Sequence, residues 1–142
     1  MEIVHALPPN YEKIAAAFKL ELSGKSAVFT YGYKLYNPSG LELPEHLLVH
    51  ENVHAVQQKG TAEGAEEWWD KFIADPAFRV EQELEAYGAQ YAYAKQMFTP
   101  KNATLLLNSI ASDLSSAAYG NVLSYGQAAS KIRSVAQKLL NP

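Results

Sequence analysis

The sequence predicts a mostly helical α+β domain, with one small β element next to a helix rich in metal-ligating side chains and a second long helix beyond it. Three observations carry that expectation. Apolar residues recur at helical spacing in most segments of the 142-residue chain. β-Branched and aromatic residues concentrate in a single run, Ala27 to Tyr36, which Asn37-Pro38-Ser39-Gly40 closes. Proline and glycine fall between the helical segments, at Pro44, Gly60, Pro76 and Pro100. The length suits one domain over 1–142, large enough to bury a core.

Taken in order, Asn10 is placed to cap a helix from Tyr11 to about Leu20 that packs Ile14, Ala17 and Phe18. Ser23-Gly24-Lys25-Ser26 breaks it and lacks the spacing of a phosphate-binding loop. Within the β run, Gly32 marks either a bulge or a hairpin bend. The next helix runs from Leu43 to Gln58, with Pro44 in its first turn and Gly60 past its end. Leu48, Val49, Val53, Ala55 and Val56 spread around its circumference, which predicts a buried helix. From Ala62 to Ala74 a further helix carries Trp68, Trp69, Phe72 and Ile73 before Asp75-Pro76 ends it. Adjacent tryptophans cannot share one face, so one packs inward and the other covers a neighbour or a cleft wall. The segment from Phe78 to Met97 or Phe98 has the stripe Val80, Leu84, Tyr87, Tyr91 and Ala94. Asn102 is placed to cap a helix to about Ala117, Tyr119-Gly120-Asn121 turns the chain, and Ser124 with Gln127 forms a capping box for a last helix to about Leu140.

The chemistry concentrates in His50-Glu51-Asn52-Val53-His54. Side chains four apart on a helix are neighbours, so both imidazoles reach one ion while Glu51 stands beside the place of a metal-bound water. In a buried helix these three polar groups need partners or cost about 1–3 kcal/mol each, and a metal satisfies all of them together. His46 is also four residues from His50, yet it lies about 12 Å along the axis from His54 and cannot share an ion with it. His46 is therefore a rim or outer residue. A catalytic zinc takes three protein ligands and leaves a position for water. No cysteine occurs, and no histidine follows His54, so the third ligand is an Asp or Glu. On the second long helix Glu83 sits about 60° from the centre of the apolar stripe, against about 100° for Glu81 and about 140° for Glu85. Glu83 is the inward-leaning acid.

These residues resemble the gluzincins, metallopeptidases in which H-E-x-x-H on one helix is completed by a glutamate on a later one. The second motif of that class is commonly E-x-x-A-D or E-x-x-S-D. Glu83-Leu84-Glu85-Ala86-Tyr87 matches it at Glu83 and Ala86 and departs at Tyr87. The family's aspartate orients a ligating histidine, and the Tyr87 hydroxyl is the candidate for that task here. His50 to Gln58, Trp68-Trp69 and Phe78 to Tyr87 also resemble small, mostly uncharacterised metallopeptidase-like proteins of bacteriophages. The resemblance covers the middle third of the chain. It implies a zincin-like fold, one Zn2+ ion held by His50, His54 and Glu83, Glu51 as general base, and a peptide or protein substrate. Tyr119 and Tyr125, which flank Gly120 and Gly126, join Tyr87 as candidates either to support a ligand from behind or to donate to an oxyanion. In zincins a strand at the cleft rim pairs with the substrate, so Tyr31, Gly32, Tyr33, Lys34 and Leu35 either line the substrate channel or form a sheet that simply covers the helices.

Composition narrows the classes. A formal net charge of −3 offers no basic patch for nucleic acid. No run approaches the roughly 20 apolar residues of a membrane span. Met1 to Pro9 lacks a basic region followed by an apolar core, which predicts no secretory signal and a cytoplasmic or, if phage-encoded, virion-associated protein. The Pro8-Pro9 arm is either a plug for the cleft or an ordered terminus. Besides a peptidase, the residues fit a metal-stabilised phage structural or binding protein, which would not need Glu51, and an amidase acting on a cell-wall bond.

Overall fold

The computed structural model describes residues 1–18 and 27–142. The expected end of the first helix at Leu20 and the break at Ser23 to Ser26 lie outside the described residues. Strand β1 spans Glu2–Val4, helix α1 Tyr11–Phe18, strands β2 and β3 Phe29–Tyr31 and Lys34–Tyr36, and helix α2 Glu45–Gln57. Helices α3 to α6 follow at Ala62–Ala74, Pro76–Met97, Pro100–Leu114 and Tyr125–Leu140, with a short 3-10 turn at Ala117–Tyr119 between α5 and α6. The expected α+β class, mostly helical with a small sheet, is what the structure shows.

The β run folds as a hairpin. Tyr31 pairs with Lys34 and Phe29 with Tyr36, so Gly32-Tyr33 is a two-residue loop. Gly32 has φ +67° while Tyr33 does not take a positive φ, the pattern of a type II′ turn with glycine first. Gly32 is thus the hairpin bend. β1 adds in parallel on the far side of β3, giving the order β1-β3-β2 among the described residues. Its three residues are too few to show an alternation, and the sequence reading missed it. Glu2–Val4 is paired into the sheet and Pro8 is buried, so this arm is held on the fold.

Two apolar clusters flank the middle of the fold. One joins α4, α5 and α6 through residues such as Tyr91, Leu107, Leu114 and Ile132. The other joins α1, β2 and α3 through Ile14, Phe29, Trp68, Trp69 and Phe72. α4 serves both, and it crosses α6 at Gly88, where an added Cβ would stand 2.2 Å from Val135 Cγ1. Asp75 joins α3 to α4 by itself. Its N–H donates to Lys71 O at the end of α3, and its carboxylate accepts from Ala77 and Phe78 N–H at the start of α4. Pro76 occupies the first position of α4, where its missing N–H costs nothing. α4 therefore begins two residues earlier than Phe78.

Several expectations need correction. Pro44 precedes α2 as its cap residue. α2 is not buried all round: its covered side carries His50, Glu51, His54 and Ala55, while Val56 is 67% exposed. The helix turns its polar side inward, towards α4. Thr99 caps α5, its hydroxyl accepting from Asn102 N–H, so Asn102 lies inside the first turn. α5 stops at Leu114, and Ala117–Tyr119 is a separate turn closed by Gly120 at φ +74°. Asn10 does not cap α1 through its side chain. Its amide nitrogen and oxygen are buried without a partner among the described residues. The Ser124 and Gln127 capping box is present as expected. No described helix is long and apolar enough to cross a membrane.

Candidate metal centre

α2 packs closely on α4, and this contact sets the site. His50 and His54 project from one face of α2 towards Glu83 on α4. His50 Nε2 lies 3.1 Å from His54 Nε2 and 3.1 Å from Glu83 Oε1, and His54 Nε2 lies 2.8 Å from the same oxygen. All three residues are about 5% exposed. Ligands about 2.0–2.1 Å from a tetrahedral ion stand roughly 3.3–3.4 Å apart, so this triangle needs to open by only a few tenths of an ångström. A buried carboxylate and two imidazole nitrogens sharing one centre require a cation or protons between them. The group could hold a metal ion.

Each donor is held from behind. His50 Nδ1 is 2.9 Å from Gln90 Oε1, and His54 Nδ1 is 2.8 Å from Gln57 Oε1. Amide oxygens on Nδ1 fix the proton there and leave the Nε2 lone pairs facing each other and Glu83. Gln57 is anchored in turn by donation to Gln82 O. The second oxygen of Glu83 accepts from the Tyr119 hydroxyl at 2.5 Å. Tyr119 is placed by Arg79, whose guanidinium donates to Phe72 O and Ile73 O at the end of α3 and to Ala118 O in the 3-10 turn.

Glu51 lies beside the triangle, 7% exposed. Its Oε2 accepts from Thr30 Oγ1 at 2.8 Å, which ties the carboxylate to β2. Burial pulls the His54 pKa down, but the charge and hydrogen bond of Glu83 outweigh it and push it up to about 9. Burial pushes Glu83 upward, and the imidazoles of His54 and His50 hold it well below the usual carboxylate range. Burial, then Glu83, raises Tyr119 and Tyr87 far above the ordinary tyrosine value. Burial and His50 lower His46.

The site opens into a cavity of about 530 Å³. Trp68, Trp69, Phe72, Leu106 and Ile110 give it apolar walls, and among the described residues none that lines it is a lysine or arginine. Both tryptophans are buried. Trp68 lies against His54 with centroids 5.0 Å apart and donates to Gln82, while Trp69 donates to Thr30 O.

His50, Glu51, His54 and Glu83 thus come together. Tyr119 and Tyr87 both reach the site, Tyr119 as a support behind Glu83, one of the two expected roles, and Tyr87 through its ring. Tyr119 spends its hydroxyl on Glu83, and Tyr87 packs its ring on His50 at 4.6 Å while Gln90 takes the Nδ1 position. Tyr125 is not at the site: it is 46% exposed and donates to Asn108. Tyr31, Gly32, Tyr33, Lys34 and Leu35 do not line the cavity; Ala27 to Thr30 do. Tyr31 instead donates to Glu66. On the side of β2 that faces away from β3, the Thr30 carbonyl already accepts from Gln58 and Trp69, and Gln58 also accepts from Gly32 N–H in the turn. Sequence reasoning missed Gln57, Gln90, Thr30 and Arg79. A glutamine three after a candidate ligand histidine was a visible signal for the first; the others depend on tertiary contact.

Comparison with protein-family models, curated proteins and solved structures found no match to this chain.

Proposed function

We propose that the protein is a zinc-dependent metallohydrolase of gluzincin type that cleaves amide bonds, with peptides as the first substrate class to test. The observation that carries this reading is the buried convergence of His50 Nε2, His54 Nε2 and Glu83 Oε1 with a separately anchored Glu51 at its side. Two imidazoles and a carboxylate suit zinc, and a zinc ion held by them supplies a Lewis acid and a water whose pKa falls to about 7. Glu51 performs the proton work: Thr30 holds Oε2, and the other oxygen takes the proton of the attacking water and passes it to the amine as the C–N bond breaks. A structural metal site has no use for Glu51 held apart from the ligands.

One observation favours a second reading of the same chemistry. The carbonyl that an extended peptide would need for pairing at Thr30 of β2 already accepts from Gln58 and Trp69. A substrate read by side chains, such as a cell-wall amide, fits that edge better.

Elemental mass spectrometry with activity screening tests the proposal. Wild type is expected to carry about one equivalent of zinc, weakened or lost in His54→Ala and Glu83→Ala. Glu51→Gln is expected to keep zinc and lose cleavage of peptide and muropeptide libraries. Zinc absent from wild type after loading at neutral pH, or full activity in Glu51→Gln, defeats it.

A further inference from the structure

Gln90 joins two histidines of α2. Its Oε1 faces His50 Nδ1 at 2.9 Å and its Nε2 faces His46 Nδ1 at 2.8 Å. All three side chains line the cavity. The chemistry of the two rings fixes which end of the amide is oxygen. If His50 Nε2 gives its lone pair to a metal, its proton sits on Nδ1, and only an oxygen can accept there. The NH2 of Gln90 then points at His46 Nδ1, which must be a bare acceptor. The remaining proton of a neutral His46 therefore lies on Nε2.

We infer that Gln90 makes His46 a fixed Nε2–H donor, and that His46 is the side chain offering a hydrogen bond to a substrate oxygen in this cavity. The inference rests on the metal reading above. It fills a role the structure leaves open, since Tyr119 is committed to Glu83 and Tyr125 is elsewhere. A glutamine relay of this kind carries no proton between the two rings; it sets their tautomers and orientation. Gln90 is a positioning residue and His46 the group that meets substrate.

A Gln90→Glu variant separates the parts. A carboxylate still accepts from His50 Nδ1–H, but its other oxygen also demands a proton from His46 Nδ1, so the His46 ring turns over to the Nδ1–H form. Long-range 15N–1H correlation spectra of 15N-histidine protein, recorded with zinc chloride at pH 7.5, report the tautomer of each ring. The expected result is His46 as Nε2–H in wild type and as Nδ1–H in Gln90→Glu, with the His50 and His54 signals shifted by zinc in both. Acetohydroxamate is the probe of the cavity itself. Its affinity for the zinc-loaded protein is expected to fall about 2- to 10-fold in His46→Phe, the worth of one neutral hydrogen bond, and to recover in His46→Gln, whose amide nitrogen stands near the place of Nε2. Zinc bound with wild-type His46 as Nδ1–H, an unchanged tautomer in Gln90→Glu, or undiminished acetohydroxamate binding in His46→Phe overturns this inference alone. Zinc that leaves His50 and His54 unperturbed overturns the metal reading and this inference with it.

Discussion

At the scale of single residues, Thr30 separates metal binding from proton transfer. It touches Glu51 and is a partner of none of the three candidate ligands. Thr30→Val removes the hydroxyl at nearly constant volume. Zinc content should be unchanged while kcat falls about 10-fold or more, since a hydrogen bond to a charged group is worth about 1.5–3 kcal/mol. Equal loss of zinc and of kcat would show that Thr30 supports the whole site. The cluster of His50, His54 and Glu83 was legible in the sequence because a helix fixes the relation of residues four apart, and because a helical projection ranks Glu83 above Glu81 and Glu85. Both rankings hold: Glu83 is 5% exposed, whereas Glu81 and Glu85 lie at the surface. Residues such as Thr30 and Gln90, 21 and 40 positions from their partners, were not legible. Nothing local distinguishes a glutamine that bridges two histidines from one that faces solvent.

At the scale of elements, helix ends separated the readings that held from those that did not. Ser124 and Gln127 form a reciprocal pair spaced three apart, and that spacing identifies an N-terminus by itself. Thr99-Pro100 offered an equally good start, its cap three residues before Asn102 and its proline at the favoured first position, and the structure uses it. Thr99→Ala should therefore cost about 1 kcal/mol in urea unfolding, and Asn102→Ala within about half of that. The reverse order would return the cap to Asn102. α2 misled for a different reason. Its valines and leucines suggested burial, but the side that packs on α4 is chosen by the histidines and glutamate, and the apolar residues are left at the flanks and outside. A polar face turned inward is what a site looks like in a helical pattern, because its partner is an ion or a cavity instead of a core.

At the scale of the molecule, the candidate centre lies where the two apolar clusters meet, so its protonation bears on the stability of the fold. The His54 pKa, about 9, stands above its ordinary 6.5 in the metal-free chain. A raised pKa stabilises the folded state fully below the unfolded value, and that contribution is lost as pH rises through the folded one. Glu83 works the other way: its depressed pKa adds stability above about 4.5 that is lost in stronger acid. With a chelator present, urea midpoints should therefore be highest between about pH 5 and 6.5 and decline towards pH 9. Zinc takes the place of the proton on His54, so saturating zinc should flatten the alkaline decline and add about 2.7 kcal/mol at 100 times its Kd. An alkaline limb indifferent to zinc would detach His54 from the ion.

The seal on β2 has a consequence for the chain in crowded solution. A three-residue strand at the border of a small sheet is an invitation for a second molecule to add its own strand, the first step towards aggregates. Gln58, wholly buried, fills that role from within: one amide donates and accepts along the strand as a neighbouring backbone would. Gln58→Leu keeps the bulk and removes the pairing. Light scattering that grows with protein concentration in this variant, under conditions where wild type stays clear, is the expected result, and it would mark Gln58 as a guard of the β2 edge against self-association.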